Sequence, residues 1–320
     1  MKKVLLITTG GTIASKKTDK GFVPVNSNDI IFNSIKCNIK NKFLFPPDYI
    51  NLFDLDSTNI MVENWQTIAS TIYENIDKYD SFVISHGTDT MAYTSSALSV
   101  IFENINKPII LTGSQIPIEL KYSDAYKNIN DAFLLACSDI KGIFIVFNGK
   151  IILGKNAKKI YTKNIDAFDS INNDYVGYIE NDVLQIDSEY KKNIKKEFIF
   201  KNKFEKNIYV HKVIPINNIN FINNIINSNI KGIIFECYGM GGVPDIYRDT
   251  IKNAINNNIV IVIATQCLYD GVNLEEYKVG LEAKKLGVIS SKNYTLEYTI
   301  VRLMSLLAYN EDIDYIKSNF

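Results

Sequence analysis

The sequence predicts an α/β fold with two domains: a larger N-terminal domain with a doubly wound, mainly parallel sheet, and a smaller, Rossmann-like C-terminal α/β domain. Three observations lead to this prediction. The chain has 320 residues, and at that length two cores are more typical than one. Short apolar runs without alternation recur along it, as in strands that are buried on both faces of a parallel sheet. Helical spacing of apolar residues between these runs indicates the alternation of strand and helix that doubly wound folds require.

Each predicted strand is a run of Ile, Val and Phe that ends at turn residues. The runs are residues 4–7, 82–84, 109–111, 143–147, 233–235 and 259–264. Each predicted helix has apolar residues on one face. These faces consist of Trp65, Ile68, Ala69, Ile72, Tyr73 and Ile76 in the first helix, Ala97, Leu98, Ile101 and Phe102 in the second, and Ile129, Ala132, Phe133 and Ala136 in the third.

A lysine-rich stretch that is poor in turn residues separates two series of strands and helices. It predicts an N-terminal domain at 1–190, a connection at 191–206 and a C-terminal domain at 207–320. Its charges are more typical of a solvated surface than of a binding patch.

Composition limits the classes of partner. Lysine plus arginine and aspartate plus glutamate both number 35, so no net field draws the chain to nucleic acid or to an anionic membrane. We therefore expect a small-molecule substrate, with no nucleic-acid partner and no membrane partner. The four cysteines form no C-x-x-C pair, which favours reduced thiols in a cytosolic protein. The apolar run after Lys2 and Lys3 is too short for a signal peptide, and no small-residue cleavage site follows it.

Polar segments follow the first strands, and ligands bind beyond the carboxyl ends of strands in open parallel sheets. These segments are residues 8–14 (TTGGTIA), 54–59 (DLDSTN), 85–90 (SHGTDT) and 112–117 (TGSQIP). Glycines in such turns expose backbone N–H groups, which can bind a developing oxyanion. A threonine hydroxyl needs a base before it becomes a nucleophile. A carboxylate such as Asp89 and a partly buried lysine are suitable partners.

Each of these segments alone has a simpler interpretation. A Gly-Gly-Thr turn is more often only a turn, or a phosphate cradle. The first strand is not followed by G-x-G-x-x-G, and the chain has no P-loop lysine and no G-x-S-x-G. With two histidines, His86 and His211, a Ser-His-Asp triad is difficult to build. For His86 a structural role is favoured over a catalytic one.

In combination, the segments resemble the asparaginase/glutaminase family. Its two threonine signatures stand here as residues 9–13 (TGGTI) and 86–90 (HGTDT). Further segments agree at 56–61, 112–117, 123–128, 238–244 and 265–267. The resemblance spans nearly the whole chain, and the second-domain segments are most similar to the cytosolic, type I branch. It implies the two-domain α/β fold, an amidohydrolase activity, a cytoplasmic location, and no cofactor or metal.

The resemblance also implies catalytic residues. Thr12 is the nucleophile, and Thr88, Asp89 and a lysine form a second set that relays protons. The family places this lysine five residues beyond a glycine, a spacing that leads from Gly154 to Lys159. Two other lysines are close in sequence, and the alternative is that all three lie on the surface.

Substrate contacts are implied in the same way. Asp56 and Ser57, with Thr58 beside them, hold the α-carboxylate of the substrate and its neighbouring groups. Asp89 pairs with the α-ammonium group. The main chain near Gly11, Ser114 and Thr88 completes the pocket.

One position departs from the family pattern. Residues 14–26 correspond to a mobile lid, where family members often have a tyrosine that hydrogen-bonds the nucleophile. This chain has Phe22 ten residues after Thr12, and phenylalanine cannot relay a proton. We expect Phe22 to pack over the site and activity to survive without the phenol. If Phe22→Tyr raises the rate by orders of magnitude, that expectation is wrong.

The implied reaction is the hydrolysis of L-asparagine to L-aspartate and ammonia through an aspartyl ester on Thr12. Alternatives are a glutaminase-asparaginase of broader specificity and a catalytically silent asparagine sensor, for which Phe22 is the only favouring feature. A component of a tRNA-dependent amidotransferase is disfavoured for two reasons. That component has an extra domain before its TGGT signature, whereas the signature here starts at Thr9, and this chain is neutral.

The family forms dimers, often paired into tetramers. A homo-oligomer is therefore expected, in which Tyr277 and the Gly241–Gly242 turn either face a partner's site or are ordinary loop residues.

Overall fold

The computed structural model describes residues 1–19, 21–24, 28–191, 196–216 and 219–320. The chain divides into two compact units, Met1–Asn202 and Lys203–Phe320. The predicted connection at 191–206 includes residues 192–195, which lie outside the described residues, so its bounds stay a prediction. No helix in the described ranges is long and apolar enough to cross a membrane.

Short strands and helices alternate through the first unit. Its strands are β1 (Val4–Gly10), β2 (Ser15–Thr18), β3 (Gly21–Pro24), β4 (Asp48–Leu55), β5 (Ser81–Ser85), β6 (Phe102–Glu103), β7 (Pro108–Thr112), β8 (Gly142–Phe147), β9 (Lys150–Leu153), β10 (Ala157–Lys159), β11 (Phe168–Ser170), β12 (Gly177–Glu180), β13 (Val183–Ile186) and β14 (Ile199–Phe200). Its helices are α1 (Asn28–Ser34), α2 (Cys37–Lys40), α3 (Val62–Glu74), α4 (Met91–Ile101) and α5 (Ala125–Ala136).

Eight of the described strands form the main sheet of this unit, in the order β13-β12-β9-β8-β7-β5-β1-β4. The pairs from β8 to β4 are parallel, whereas β9, β12 and β13 extend the sheet with antiparallel pairs. All residues of β1, β5 and β7 are buried, as expected for strands covered on both faces. The predicted α/β class with a mainly parallel N-terminal sheet is confirmed.

Helices cover both faces of this sheet. Val83, Ile110 and Phe144 pack with α5 in one continuous apolar cluster that also includes residues of α1. Their strand neighbours, such as Ile84 and Leu111, point to the opposite face and are also fully buried. The predicted face of α3 is buried at four positions, but Tyr73 is 45% exposed and its ring stacks on Phe200 at 4.1 Å.

The second unit contains a smaller parallel sheet with its own core. Its strands, β15 (Ile208–Lys212), β16 (Gly232–Cys237), β17 (Val260–Thr265) and β18 (Ile289–Ser290), pair in that order. Its helices are α6 (Ile219–Ile226), α7 (Arg248–Asn256), α8 (Lys278–Leu286), α9 (Leu296–Tyr309) and α10 (Ile313–Asn319). Two apolar clusters cover the two faces of the sheet, which confirms the predicted C-terminal α/β domain.

Candidate active site

The register of the first sheet brings three turns together at one edge. Thr8 of β1 pairs with Ser85 of β5, and Ser85 pairs with Thr112 of β7. These residues end or nearly end their strands, so the turns that follow start side by side. The geometry agrees with the position of ligand sites in parallel sheets, beyond the carboxyl ends of adjacent strands.

The first two turns meet backbone to backbone. Gly11 has φ +82°, and a Cβ atom there would lie 2.4 Å from the N and Cα atoms of Gly87. At Gly87, a Cβ atom would lie 2.5 Å from Ser57 Oγ. Heavy atoms cannot approach so closely, so no side chain fits between these turns. As a result, Thr12, which starts a 3₁₀ turn (Thr12–Ala14), is held near Thr88.

The Ser57 turn is held by its own polar groups. It is a 3₁₀ turn (Ser57–Asn59), and Asp56 Oδ1 accepts hydrogen bonds from both Thr58 N and Thr58 Oγ1, each at 2.9 Å. Thr90 Oγ1 donates to Ser57 O at 2.7 Å. Ser57 itself is buried, whereas Asp56 and Thr58 are exposed. The Thr58 hydroxyl is therefore already engaged with Asp56.

Lys159 contacts two of the predicted site residues. It ends β10, which pairs with β11 in a hairpin where Lys159 faces the buried Phe168. Lys159 Nζ donates to Thr88 Oγ1 at 2.8 Å and to Asp89 Oδ1 at 2.6 Å. The lysine side chain is 16% exposed and the aspartate side chain 55%. The structure thus brings Thr88, Asp89 and Lys159 together as one hydrogen-bonded set.

The third turn adds a group that the sequence did not identify. Thr88 Oγ1 donates to Gln115 Oε1 at 3.1 Å, so the hydroxyl accepts a hydrogen bond from Lys159 and donates one to Gln115. The Gln115 amide is held in turn by donation to the carbonyl of Asn164 at 3.1 Å. Ser114 is buried and donates to Ile116 O at 2.8 Å. Gln115 lies in the 112–117 segment that resembles the family, but the sequence assigned its side chain no role.

His86 is fully buried and neutral. Burial lowers the pKa of His86 from 6.5 to about 4. Its Nδ1 lies 2.7 Å from Gly87 O, and since a carbonyl only accepts, Nδ1 carries the proton. The bare Nε2 then accepts the Thr94 hydroxyl at 2.9 Å. This arrangement agrees with the structural role that the sequence favoured for His86.

The predicted nucleophile and the proton-relay set are close but separate. Among Thr12, Thr88, Asp89 and Lys159, all of them described, no hydrogen bond joins Thr12 to the other three. The two sets meet through the contact of Gly11 with Gly87.

Phe22 pairs with Lys17 in the β2–β3 hairpin, but its side chain lies outside what the structure describes, so its packing over the site stays a prediction. Within the described ranges, no group of three or more His, Cys, Asp or Glu residues could hold a metal ion.

Two family models cover the chain. The model "Asparaginase, N-terminal" matches residues 3–192, and the model "Glutaminase/Asparaginase C-terminal domain" matches residues 207–320. Together with the α/β fold, these matches define an amidohydrolase. Within that class, the chain belongs to the asparaginase family, as its two threonine signatures predicted.

Relatives of known sequence and structure agree with this assignment. The chain is 35% identical to an L-asparaginase of Thermococcus kodakarensis over 318 residues, which cover 98% of this chain and 95% of the relative. A solved structure of the thermostable L-asparaginase from that organism matches with a TM-score of 0.90 at 34% identity and covers 98% of this chain and 95% of the other. The chain is also 31% identical to one component of the glutamyl-tRNA(Gln) amidotransferase of Pyrococcus furiosus, with 97% of this chain but 73% of that relative covered.

Proposed function

We propose that this chain is an L-asparaginase that hydrolyses L-asparagine to L-aspartate and ammonia. The observation that carries the proposal is the set in which Lys159 donates to both Thr88 and Asp89. This set lies beside the backbone contact that holds the Thr12 turn. The activity of the T. kodakarensis relative supports the same reaction.

In the proposed first step, Thr12 Oγ1 attacks the side-chain amide carbon of asparagine. The leaving nitrogen takes a proton from the Thr88–Lys159 set, and the proton that Thr12 loses restores that set. Backbone N–H groups of the turns stabilise the oxyanion, a contribution of about 10²–10³ in rate for each donor. The products of this step are ammonia and an aspartyl ester of Thr12. Water then attacks the ester, which restores the Thr12 hydroxyl and releases aspartate.

Substrate binding uses the groups around this set. We propose that Ser57 and Asp56 hold the α-carboxylate end of the substrate, while Asp89, whose carboxylate is half exposed, pairs with the α-ammonium. Ser114 and the main chain at Gly11 complete the pocket. Thr58 contributes by fixing Asp56 through its two hydrogen bonds.

Ammonia release from L-asparagine and from L-glutamine, measured side by side, tests the proposal. The variants are Thr12→Ala, which removes the hydroxyl, and Thr12→Ser, which keeps it. We expect asparagine turnover by wild type, retention of a substantial part of it in Thr12→Ser, and loss in Thr12→Ala with asparagine binding still measurable by calorimetry. Turnover by Thr12→Ala near the wild-type rate would assign the nucleophile elsewhere, with Thr88 the first candidate.

The same measurement separates the alternatives. One methylene changes binding by only about 1–3 kcal/mol, so comparable turnover of glutamine would identify a glutaminase-asparaginase of broader specificity. Asparagine binding by folded wild type without ammonia release would identify a sensor.

We also propose a cytoplasmic homo-oligomer, a dimer or tetramer as the family resemblance implies. Tyr277, which is 58% exposed, and the Gly241–Gly242 turn are the candidates to face a partner. Light scattering after gel filtration tests this part of the proposal, and a stable, fully active monomer would contradict it.

A further inference from the structure

Asn128 is a buried amide whose hydrogen bonds join two turns. It lies in α5 and is 0% exposed. Its Nδ2 donates to Gly113 O at 2.9 Å and to Asp124 Oδ2 at 3.1 Å. Its Oδ1 accepts the backbone N–H of Asn148 at 2.8 Å. One side chain therefore ties the turn after β7 to the turn between β8 and β9.

On one side, Asn128 holds the turn that carries Gln115. Asp124, which Asn128 orients, accepts the backbone N–H groups of Gln115 and Ile116, both at 2.9 Å. Gln115 Oε1 accepts the Thr88 hydroxyl. Two hydrogen bonds thus lead from Asn128 to the Gln115 backbone, and the Gln115 side chain reaches Thr88.

On the other side, the contacts lead to the hairpin that carries Lys159. Asn148 Nδ2 donates to Asp166 Oδ1 at 3.2 Å, and Lys150 Nζ donates to the same carboxylate at 2.8 Å. Asp166 is followed by Ala167, whose carbonyl accepts Ile160 N at 2.8 Å. Ile160 directly follows Lys159, so the anchored carboxylate lies next to the hydrogen bond that closes the hairpin just beyond Lys159.

We infer that Asn128 is a positioning residue that sets the distance between Thr88 and Lys159 by holding the Gln115 turn and the Lys159 hairpin together. The inference rests on the proposed function, in which these two groups pass protons. Misplacement of reacting groups by about 1 Å can cost on the order of 10²-fold in rate. A buried amide with three hydrogen bonds resists such movement, since breaking any of them leaves a buried polar group without a partner, which costs free energy.

The same helix offers a matched control in Asn130, which is 2% exposed. Asn130 Oδ1 accepts Lys36 N at 2.7 Å, and its Nδ2 donates to Ser34 O at 2.9 Å and Tyr126 O at 2.6 Å. It is almost equally buried and makes equally many hydrogen bonds, but one of them stays within α5 and the other two lead to the end of α1, not to the site. Loss of either amide should destabilise the fold to a similar degree.

The experiment compares Asn128→Asp with Asn130→Asp. Aspartate keeps the shape but replaces the two N–H donors by an oxygen that faces other acceptors. We expect both variants to unfold more easily, and only Asn128→Asp to lose about 10–100-fold in kcat for asparagine. KM should change less than kcat, because Ser57 and Asp56 lie on a different turn and only Ser114 of the proposed pocket shares the turn that Asn128 holds. Equal kcat values in the two variants would overturn the inference, whereas absence of ammonia release by wild type would overturn the proposed function instead.

A second pair keeps the test valid if Asn128→Asp does not fold. Asn148 has φ +48°, which glycine adopts freely, so Asn148→Gly keeps the N–H bonded to Asn128 and removes only the contact with Asp166. Asn181, also at φ +48° and exposed in the β12–β13 turn, is its control. We expect Asn148→Gly to lower kcat several-fold relative to Asn181→Gly. Identical kcat values in these two variants would contradict the hairpin branch of the inference.

Discussion

Lys159 illustrates what a side chain's contacts add to its position in the sequence. Three lysines lie within five residues, at 155, 158 and 159, and spacing alone left all three open to a surface interpretation. The structure places Lys159 Nζ within hydrogen-bonding distance of both Thr88 and Asp89. A mostly buried ammonium between a hydroxyl and a carboxylate is suited to proton transfer.

Replacement of Lys159 tests this assignment directly. Lys159→Met keeps the length of the side chain and removes the proton donor, so we expect kcat for asparagine to fall by at least about 10²-fold, the lower range for loss of a general acid or base. Lys158→Met is the control, as its residue precedes Lys159 in β10. Ammonia release measures the activity of both variants. A larger loss in Lys158→Met would show that Lys158, and not Lys159, has this role.

At this scale the sequence indicated the reactive groups but not the residues that orient them. Thr12, Thr88 and Asp89 follow buried strands within short glycine turns, a pattern visible in one dimension. Apart from the contact of Asn128 with Asp124 four positions before it, the amides of Gln115 and Asn128 contact residues that are 15 to 49 positions away. An amide has no spacing rule, so the sequence could not assign these contacts.

Among the elements, the turn after β1 depends on the absence of a side chain at Gly11. Alanine at Gly11 would adopt a strained positive φ and would also overlap the backbone of Gly87. The strain costs roughly 1–2 kcal/mol, and relief of the overlap requires the two turns to separate.

Gly11→Ala should therefore lose activity beyond what strain explains. We expect at least about 10²-fold lower kcat/KM for asparagine, because Thr12 moves away from Thr88. Gly287→Ala provides the control: Gly287 has φ +102° at the end of α8, and its nearest atom is the flexible tip of Lys317 at 3.3 Å. The control should lose stability but keep its activity. Similar activity in both variants would show that the contact of the turns does not matter for catalysis.

The strands differed in how well the sequence predicted them. The buried parallel strands β1, β5, β7 and β8 were predicted because both faces are apolar. β4 was not, since it is the edge strand and all of its residues are exposed or half-buried. β9, β12 and β13 are short and antiparallel, and the two outermost alternate or lack buried residues, so they leave a weaker signal in the sequence.

For the whole molecule, the division into two cores agrees with the length of the chain. The dependence of its stability on pH follows from the two histidines. His86 lies in the first unit and His211 in the second, and burial lowers the pKa of both. A histidine that the fold keeps neutral does not lower the stability while the unfolded chain is also unprotonated. Once the unfolded chain takes up a proton there, the folded state becomes less stable relative to it.

The free energy of unfolding of the first unit should consequently fall in mild acid. Between pH 6.5 and about 4 the unfolded chain takes up a proton at His86 that the folded unit does not, so stability is complete above pH 6.5 and declines below it. From pH 7 to pH 5 we expect a loss of about 2 kcal/mol from this residue.

The single tryptophan, Trp65, is buried in the first unit, and its fluorescence during denaturant unfolding measures the loss. In His86→Asn the pH dependence should shrink by that amount. An unchanged pH dependence would exclude His86 as its source.

The close approach of Gly11, Gly87 and Ser57 also limits how this chain can diverge. Three positions far apart in the sequence share one small volume, and each fills what the other two leave open. A larger residue at Gly11 meets the Gly87 backbone, for which no smaller replacement exists, and a larger residue at Gly87 requires a smaller residue at Ser57 at the same time. Mutational drift at this edge of the sheet is therefore confined to the outward-facing residues of the turns, and an engineer who wants a larger substrate pocket must enlarge it at another wall.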